Sequence, residues 1–344
     1  MDRMSGGVGT KPRTRSGFVA LAGRPNVGKS TLANAIVGAK VAIVSDKPQT
    51  TRRAIRGIAN GPGWQLVLVD LPGVQRPRDA LTERMQRRVE RELADADACL
   101  FVVNAEEGIG PGDRFIAGLL SAATVPVVIA VNKVDTTDRA KTATALQAAA
   151  DLGVADDVFP VSARAGSGVR SMTDHLASLL PEGPFFFGSQ QWSDQTEEMR
   201  LAELVREQVL RRTREEVPHA VEVQIEAISR MTRAPRDPAA GRLERGPDKR
   251  GRMPSGPPAR AEAERAASAR RDRLVRIEAL LLVEEESQKG ILIGAGGRMI
   301  KAIGVAARQA IERDLDAHVH LELTVRVRRH WRADERLLDR LGIE

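Results

Sequence analysis

The stretch Gly23-Arg24-Pro25-Asn26-Val27-Gly28-Lys29-Ser30-Thr31 lies between an apolar run, Phe18–Ala22, and a helix-forming run, Thr31–Val37. It matches G-x-x-x-x-G-K-S, the pattern of a phosphate-binding loop. The pattern works only at a strand-to-helix turn, and these flanks supply one. The glycines let backbone N–H groups curl around phosphate, and the helix N-terminus favours negative charge. Lys29 is expected to reach the β- and γ-phosphates, and the Ser30 hydroxyl to ligate Mg²⁺. An ordinary glycine turn carrying a surface lysine would spell the same letters, so the surroundings must decide.

Working outward, short apolar runs recur at Trp64–Val69, Ala98–Val103, Val127–Val131 and Val158–Val161. Between them lie stretches of helical composition such as Leu81–Leu93 and Lys141–Ala150. Strands alternating with helices imply an α/β fold, a P-loop NTPase domain with a mostly parallel sheet and helices on both faces. Ile55–Ile58 adds an edge strand. Pro181-Glu182-Gly183-Pro184 breaks the alternation, which places the domain at 17–182 and a linker at 183–195. A second domain, α+β, follows over 196–344. It opens with a charged helix, Thr196–Glu216, and the alternating strand Val221–Glu226. Alternation resumes at Leu274–Val283. Helical pattern surrounds Ile291–Asp314, and Val319–Val327 reads as a last strand.

Two further motifs remove the bland reading of the loop. Val67-Leu68-Val69-Asp70-Leu71-Pro72-Gly73 is an apolar strand ending in aspartate, with a glycine three residues on. Asp70 is expected to hold Mg²⁺ through water, and the Gly73 N–H to sense the γ-phosphate. Asn132-Lys133-Val134-Asp135 follows the strand Val127–Val131. Guanine presents two adjacent donors, N1–H and the exocyclic amino group, which suit the one Asp135 carboxylate. Adenine lacks that pair, and an unpaired buried polar group is costly. Asn132 is expected to tie this loop to the phosphate loop, and the Lys133 stem to cover the base. Ser162-Ala163, again after a strand, puts the Ala163 N–H in line for guanine O6.

Composition agrees with a soluble globular chain: 42% hydrophobic and 29% charged. No run approaches the ~18 uninterrupted apolar residues of a membrane helix. Residues 1–16 are basic and glycine-rich without an apolar core, which reads as a disordered tail and not a signal peptide. Cys99, the single cysteine, sits in a strand and reads as a buried thiol in a reducing compartment. Residues 229–273 hold 13 basic and 6 acidic side chains, so this one segment carries the whole net charge of +7. Such charge suits RNA, DNA or an acidic membrane equally. The Arg/Pro-rich part, about 230–270, cannot bury a core and is expected to be disordered.

The motifs, in this order, resemble those of the Era family of bacterial ribosome-assembly GTPases. The resemblance runs from Gly17 to Gly342. It includes Gln-Thr-Thr-Arg at 49–52, Val319-His320-Leu321-Glu322-Leu323 and Trp331-Arg332-Ala333-Asp334-Glu335-Arg336. Gly294-Ala295-Gly296-Gly297, with Arg298 and Lys301 after it, looks like the Gly-x-x-Gly loop of a type II KH domain. Such a loop clamps a nucleic-acid backbone.

The resemblance implies a switch that hydrolyses GTP with Mg²⁺. It implies that Thr51 closes over the metal, and that the KH domain binds the 3′ end of 16S rRNA. The expected setting is 16S rRNA processing and assembly of the small (30S) subunit. Asn26 resembles an asparagine that binds K⁺ in related GTPases. Where a water-aligning glutamine would stand there is Val74, so intrinsic hydrolysis is expected to be slow. Leu71 departs from the family's threonine, and the 230–270 insert splits the KH domain between its first two strands.

The expected state is a cytoplasmic monomer that binds no DNA. Peripheral contact at the inner face of the cell membrane is a secondary property. Two other classes stand against this reading: a binding protein with nucleotide as a structural ligand, and a membrane-surface GTPase reading anionic lipid. All the motif residues oppose the first, and the absence of a lipidation signal opposes the second.

Overall fold

A computed structural model describes residues 14–45, 47, 50–72, 80–155, 157–214, 217–232 and 273–343. The N-terminal tail before Thr14, the insert after Thr232, Gln49, Gly73 and Val74 lie outside the described residues. The chain divides into two compact units, Met1–Thr196 with His330–Glu344, and Glu197–Arg329.

In the first unit the strands are β1 (Arg15–Ala22), β2 (Ile55–Gly61), β3 (Trp64–Asp70), β4 (Ala98–Asn104), β5 (Val127–Asn132) and β6 (Asp157–Pro160). Among the described residues they form one sheet, ordered β2-β3-β1-β4-β5-β6. Neighbours are parallel except the edge pair β2–β3. That pair is a hairpin closed by Pro62-Gly63, where Gly63 takes a φ of 78°.

Every residue of β4 is buried, as a strand covered on both faces must be. Its alternation feeds two cores. Leu100 and Val102 pack with Leu32 of α1 (Lys29–Val37) and Leu176 of α5 (Val169–Leu179). Cys99, Phe101 and Val103 pack with Val89 of α2 (Ala80–Ala94), Ile116 of α3 (Pro111–Leu120) and Ala149 of α4 (Arg139–Ala150). Connections from β1 leave to one side and those from β3 cross to the other. The crevice at the carboxyl end of β1 is therefore the topological switch point, where ligands of open α/β sheets bind.

Two segments differ from the sequence expectation. Residues 183–195 are not a free linker. Gln65, fully buried on β3, accepts from the Phe186 and Phe187 amides at 2.8 and 2.9 Å. Its amide nitrogen donates to the Phe187 carbonyl and to Asn60. The linker is thereby strapped to the sheet. Likewise, His330–Glu344 packs with the first unit and not with the KH fold. The reason is apolar: Trp331, Leu338 and Ile343 are at most 1% exposed there.

The second unit runs α6 (Glu197–Arg212), α7 (Val217–Ala220), β7 (Glu222–Thr232), β8 (Arg273–Val283), α8 (Glu286–Ile293), α9 (Arg298–Leu315) and β9 (His318–Val327). Its β8 is central, antiparallel to β7 and parallel to β9. Glu286–Leu315 as a whole has the length and mean hydropathy of a membrane span, although Arg298 and Lys301 interrupt its apolar run. It is not one helix, because positive φ at Gly294, Gly296 and Gly297 breaks it in two.

The three tryptophans, Trp64, Trp192 and Trp331, all belong to the first unit. Tryptophan fluorescence in urea therefore reads that unit alone. Gln65→Leu should lower its unfolding free energy by about 1–3 kcal/mol, the cost of stranding buried partners. An unchanged midpoint would show that the strap carries no stability.

Candidate functional site

The phosphate loop joins β1 to α1. Gly28, at a φ of 101°, precedes α1, and no side chain caps that helix. The first-turn amides are thus left for an anion. A Cβ at Gly28 would meet the Asn132 side-chain nitrogen at 2.3 Å, so glycine is required by space as well as by φ. Lys29 is buried, its Nζ donating to the Gly23 and Arg24 carbonyls at 3.0 Å each. Burial lowers its pKa to about 8, against the pull of Asp70.

Asp70 ends β3, adjacent and parallel to β1. Ser30 Oγ donates to Asp70 Oδ2 at 2.6 Å, and Thr51 Oγ1 donates to the same oxygen at 3.3 Å. The two hydroxyls stand 3.1 Å apart. Asp70 Oδ1 is buried without a hydrogen-bond partner. Burial raises the Asp70 pKa, opposed by Lys29, Ser30 and Thr51. Two hydroxyls, a carboxylate and an orphaned acceptor form the hard oxygen set that Mg²⁺ prefers.

Asn132 links the loops. Its Nδ2 donates to the Val27 carbonyl at 2.9 Å, and its Oδ1 accepts from the Ala163 amide at 3.0 Å. The Ala163 amide, read from sequence as a partner for guanine O6, is thus engaged by the protein's own asparagine. Asp135 Oδ1 accepts from Ser162 Oγ at 2.6 Å, which orients the carboxylate. Lys133 turns the chain with a φ of 67°.

A cavity of about 490 Å³ is lined by Pro25, Asn26 and Gly28–Thr31 of the loop, by Thr51 and by Lys133. Ile43, Val44, Ser45, Lys47 and Arg164 line it too and carry no motif in the sequence. Asn34 shapes that wall. Its Oδ1 accepts from the Val41 and Ala42 amides and its Nδ2 donates to the Ala42 carbonyl.

Of the expected residues, the Arg24 side chain turns away from the cavity. It pairs with Asp113 at 2.8 Å and with Glu107 at 3.1 Å. Leu71 points into the core. Asn26 takes a φ of 65° in the loop. Gly73 falls outside the described residues.

In the second unit, Gly294-Ala295-Gly296-Gly297 makes a 3₁₀ turn between α8 and α9. Gly294, Gly296 and Gly297 have φ of 71°, 60° and 77°. A Cβ on Gly294 would lie 2.7 Å from that of Met299. No side chain caps α9, and Arg298 and Lys301 are exposed on its first turn.

A phosphate loop at the switch point, an acidic oxygen cluster and an Asn-Lys-x-Asp turn define a P-loop GTPase, here followed by a KH fold. The family model described as "50S ribosome-binding GTPase" matches residues 18–133, and the "KH domain" model matches 261–332. GTPase Era of Mycobacterium bovis (strain BCG / Pasteur 1173P2) is 40% identical over 95% of this chain and 98% of its own. GTPase Era of Mycobacterium tuberculosis (strain ATCC 25618 / H37Rv) matches equally. A crystal structure of Era with MgGDPNP and nucleotides 1506–1542 of 16S ribosomal RNA superposes at a TM-score of 0.80. Identity there is 30%, over 96% of this chain and 99% of that one. The chain belongs to the Era family of GTPases.

Because Lys29 must be charged to meet phosphate, pH tests its role. Below about 8 the free site already holds the proton, whereas above it GTP binding must take one up. GTP affinity should therefore fall as pH rises past 8, by up to about tenfold per unit. Calorimetry in buffers of differing ionisation enthalpy should show proton uptake that Lys29→Met abolishes. Flat affinity up to pH 10 would contradict this.

Proposed function

We propose that the protein is a GTP-driven switch that binds the 3′ end of 16S rRNA through its KH domain. It acts in 16S rRNA processing and small-subunit assembly. The carrying observation is the oxygen cluster, in which switch-loop Thr51 already lies beside Ser30 and Asp70. The whole-chain likeness to Era holding a GTP analogue and 16S rRNA nucleotides supports the RNA half.

In this reading Ser30 and Thr51 would hold Mg²⁺ directly and Asp70 would hold it through water. The metal supplies charge neutralisation on the β- and γ-phosphates. Phosphoryl transfer needs positioning and charge more than covalent help. Lys29 and the uncapped α1 amides provide both. Asp135, oriented by Ser162, selects guanine. Gly73 reports the γ-phosphate, and losing that phosphate releases Thr51. The KH loop offers its backbone to a phosphodiester, with Arg298 and Lys301 as counter-charges.

Val74 cannot orient water, so the unaided rate is slow. A K⁺ ion held by Asn26 would supply the positive charge that an arginine finger supplies elsewhere. Turnover should be at least about tenfold faster in K⁺ than in Na⁺, a fraction of a finger's usual effect. Equal rates in the two salts would remove the cation. The protein resides in the cytoplasm as a monomer. The basic segment 229–273 supports a peripheral membrane contact as a secondary property.

The switch itself is tested by RNA affinity. A 16S 3′-end oligonucleotide should bind at least about tenfold tighter with a GTP analogue than with GDP, since a ligand shifts states only by differential binding. Replacing Arg298 and Lys301 by alanine should weaken binding and reduce the salt slope by about two. Equal affinity in both nucleotide states would overturn the switch.

A further inference from the structure

Thr51, Arg52 and Arg53 are consecutive, but only Thr51 serves the oxygen cluster. The next two side chains engage the C-terminal segment of the same compact unit. The Arg52 guanidinium lies 5.5 Å from the centroid of the Trp331 ring. Both residues are buried, at 3% and 0% exposure. Arg53 Nε donates to the Leu341 carbonyl at 2.6 Å. From the other side, Arg84 of α2 donates to Asp339 at 2.6 Å and to the Ile343 carbonyl at 3.1 Å. The segment is built to stay put. Asp334 caps α10 (Glu335–Arg340), and Leu337, Leu338 and Leu341 are buried beneath it.

We propose that Trp331 is a positioning residue for GTP hydrolysis: it fixes Arg52 and thereby holds Thr51 against Ser30 and Asp70. Arg53 and the Leu341 carbonyl are the second tie. The inference rests on the reading of Thr51 as the residue that closes over the metal. A loop residue whose two successors are anchored has few backbone states left to lose. Ordering done in advance does not have to be supplied by the ligand. GTP needs Thr51 in place and GDP does not, so loosening the anchor penalises only the triphosphate.

The test uses the full chain with Mg²⁺, fluorescent GDP, a non-hydrolysable GTP analogue and single-turnover hydrolysis. Trp331→Ala should leave GDP affinity within about twofold, while analogue affinity and turnover each fall about tenfold or more. Trp331→Phe, which keeps a ring under the guanidinium, should recover most of both. Arg53→Ala cuts the second tie without emptying the core and should show the same split, which covers the case that Trp331→Ala fails to fold. Thr51→Ala is the reference. If it splits GTP from GDP while Trp331→Ala and Arg53→Ala behave as wild type, the anchor is refuted and the site stands. Equal loss of both nucleotides in the anchor variants would make the contact merely structural and also refute it. No split in Thr51→Ala would instead overturn the reading of the site.

Discussion

A buried lysine at the start of α1 and a buried aspartate at the end of β3 act on one another, and the rest of the nucleotide site is arranged around that cost. An ion removed from water costs several kcal/mol unless its partners are complete. Here they are incomplete. Among the described residues Lys29 is met by two carbonyls, and Asp70 keeps one oxygen without a partner. Burial pushes both toward neutrality, the lysine downward and the aspartate upward. A site left so short of counter-charge is stabilised by whatever supplies it. Phosphate beside the lysine and a divalent cation beside the aspartate do so together. Affinity for the nucleotide and instability of the bare pocket have the same origin.

The sheet makes that pairing possible. Parallel register sets Leu21 beside Asp70, so the phosphate loop leaves β1 where the aspartate ends β3. On the other flank, Asn132 ends β5 beside Asn104 of β4 and reaches back to the Val27 carbonyl. Three strand ends thus fix phosphate, metal and base positions relative to one another. Arg24 adds a strut from the loop to Asp113 at the start of α3, which steadies the loop without entering the cavity.

Legibility from sequence follows the range of the interactions. The phosphate loop, Asp70, Asn132 and Asp135 each lie at the end of an apolar strand, so local pattern exposes them. The strands and helices of both units are equally legible, because alternation and helical composition are local signals; the strand order is not, and the KH fold is implied only by the resemblance of its Gly-x-x-Gly loop. Contacts made across the chain leave no such mark. Gln65 reads as an ordinary polar residue on a strand, and only its four bonds show that it straps down 186 and 187. Trp331 sits in a stretch continuous with the KH domain, and its burial against the first unit depends on partners 279 residues away. The Ala163 amide points the same way: a free donor on sequence grounds, it is taken by an asparagine brought there by the sheet. Arg164, Ile43, Val44, Ser45 and Lys47 line the cavity with no motif to mark them, and the hydrogen bonds by which Asn34 holds Val41 and Ala42 are equally silent in the sequence.

The position of Trp331 in the chain gives its contact a wider meaning. Arg328 still bonds within the KH sheet, its amide donating to the Val283 carbonyl at 2.8 Å. Only Arg329 and His330 separate it from Trp331, a span of about 10 Å at full extension. The end of the last KH strand and the anchor of the switch loop are therefore one short stretch of backbone. Ordering of Thr51 by a bound γ-phosphate would therefore act, through Arg52 and Arg53, on the segment that begins at Trp331, since coupling between two equilibria is reciprocal.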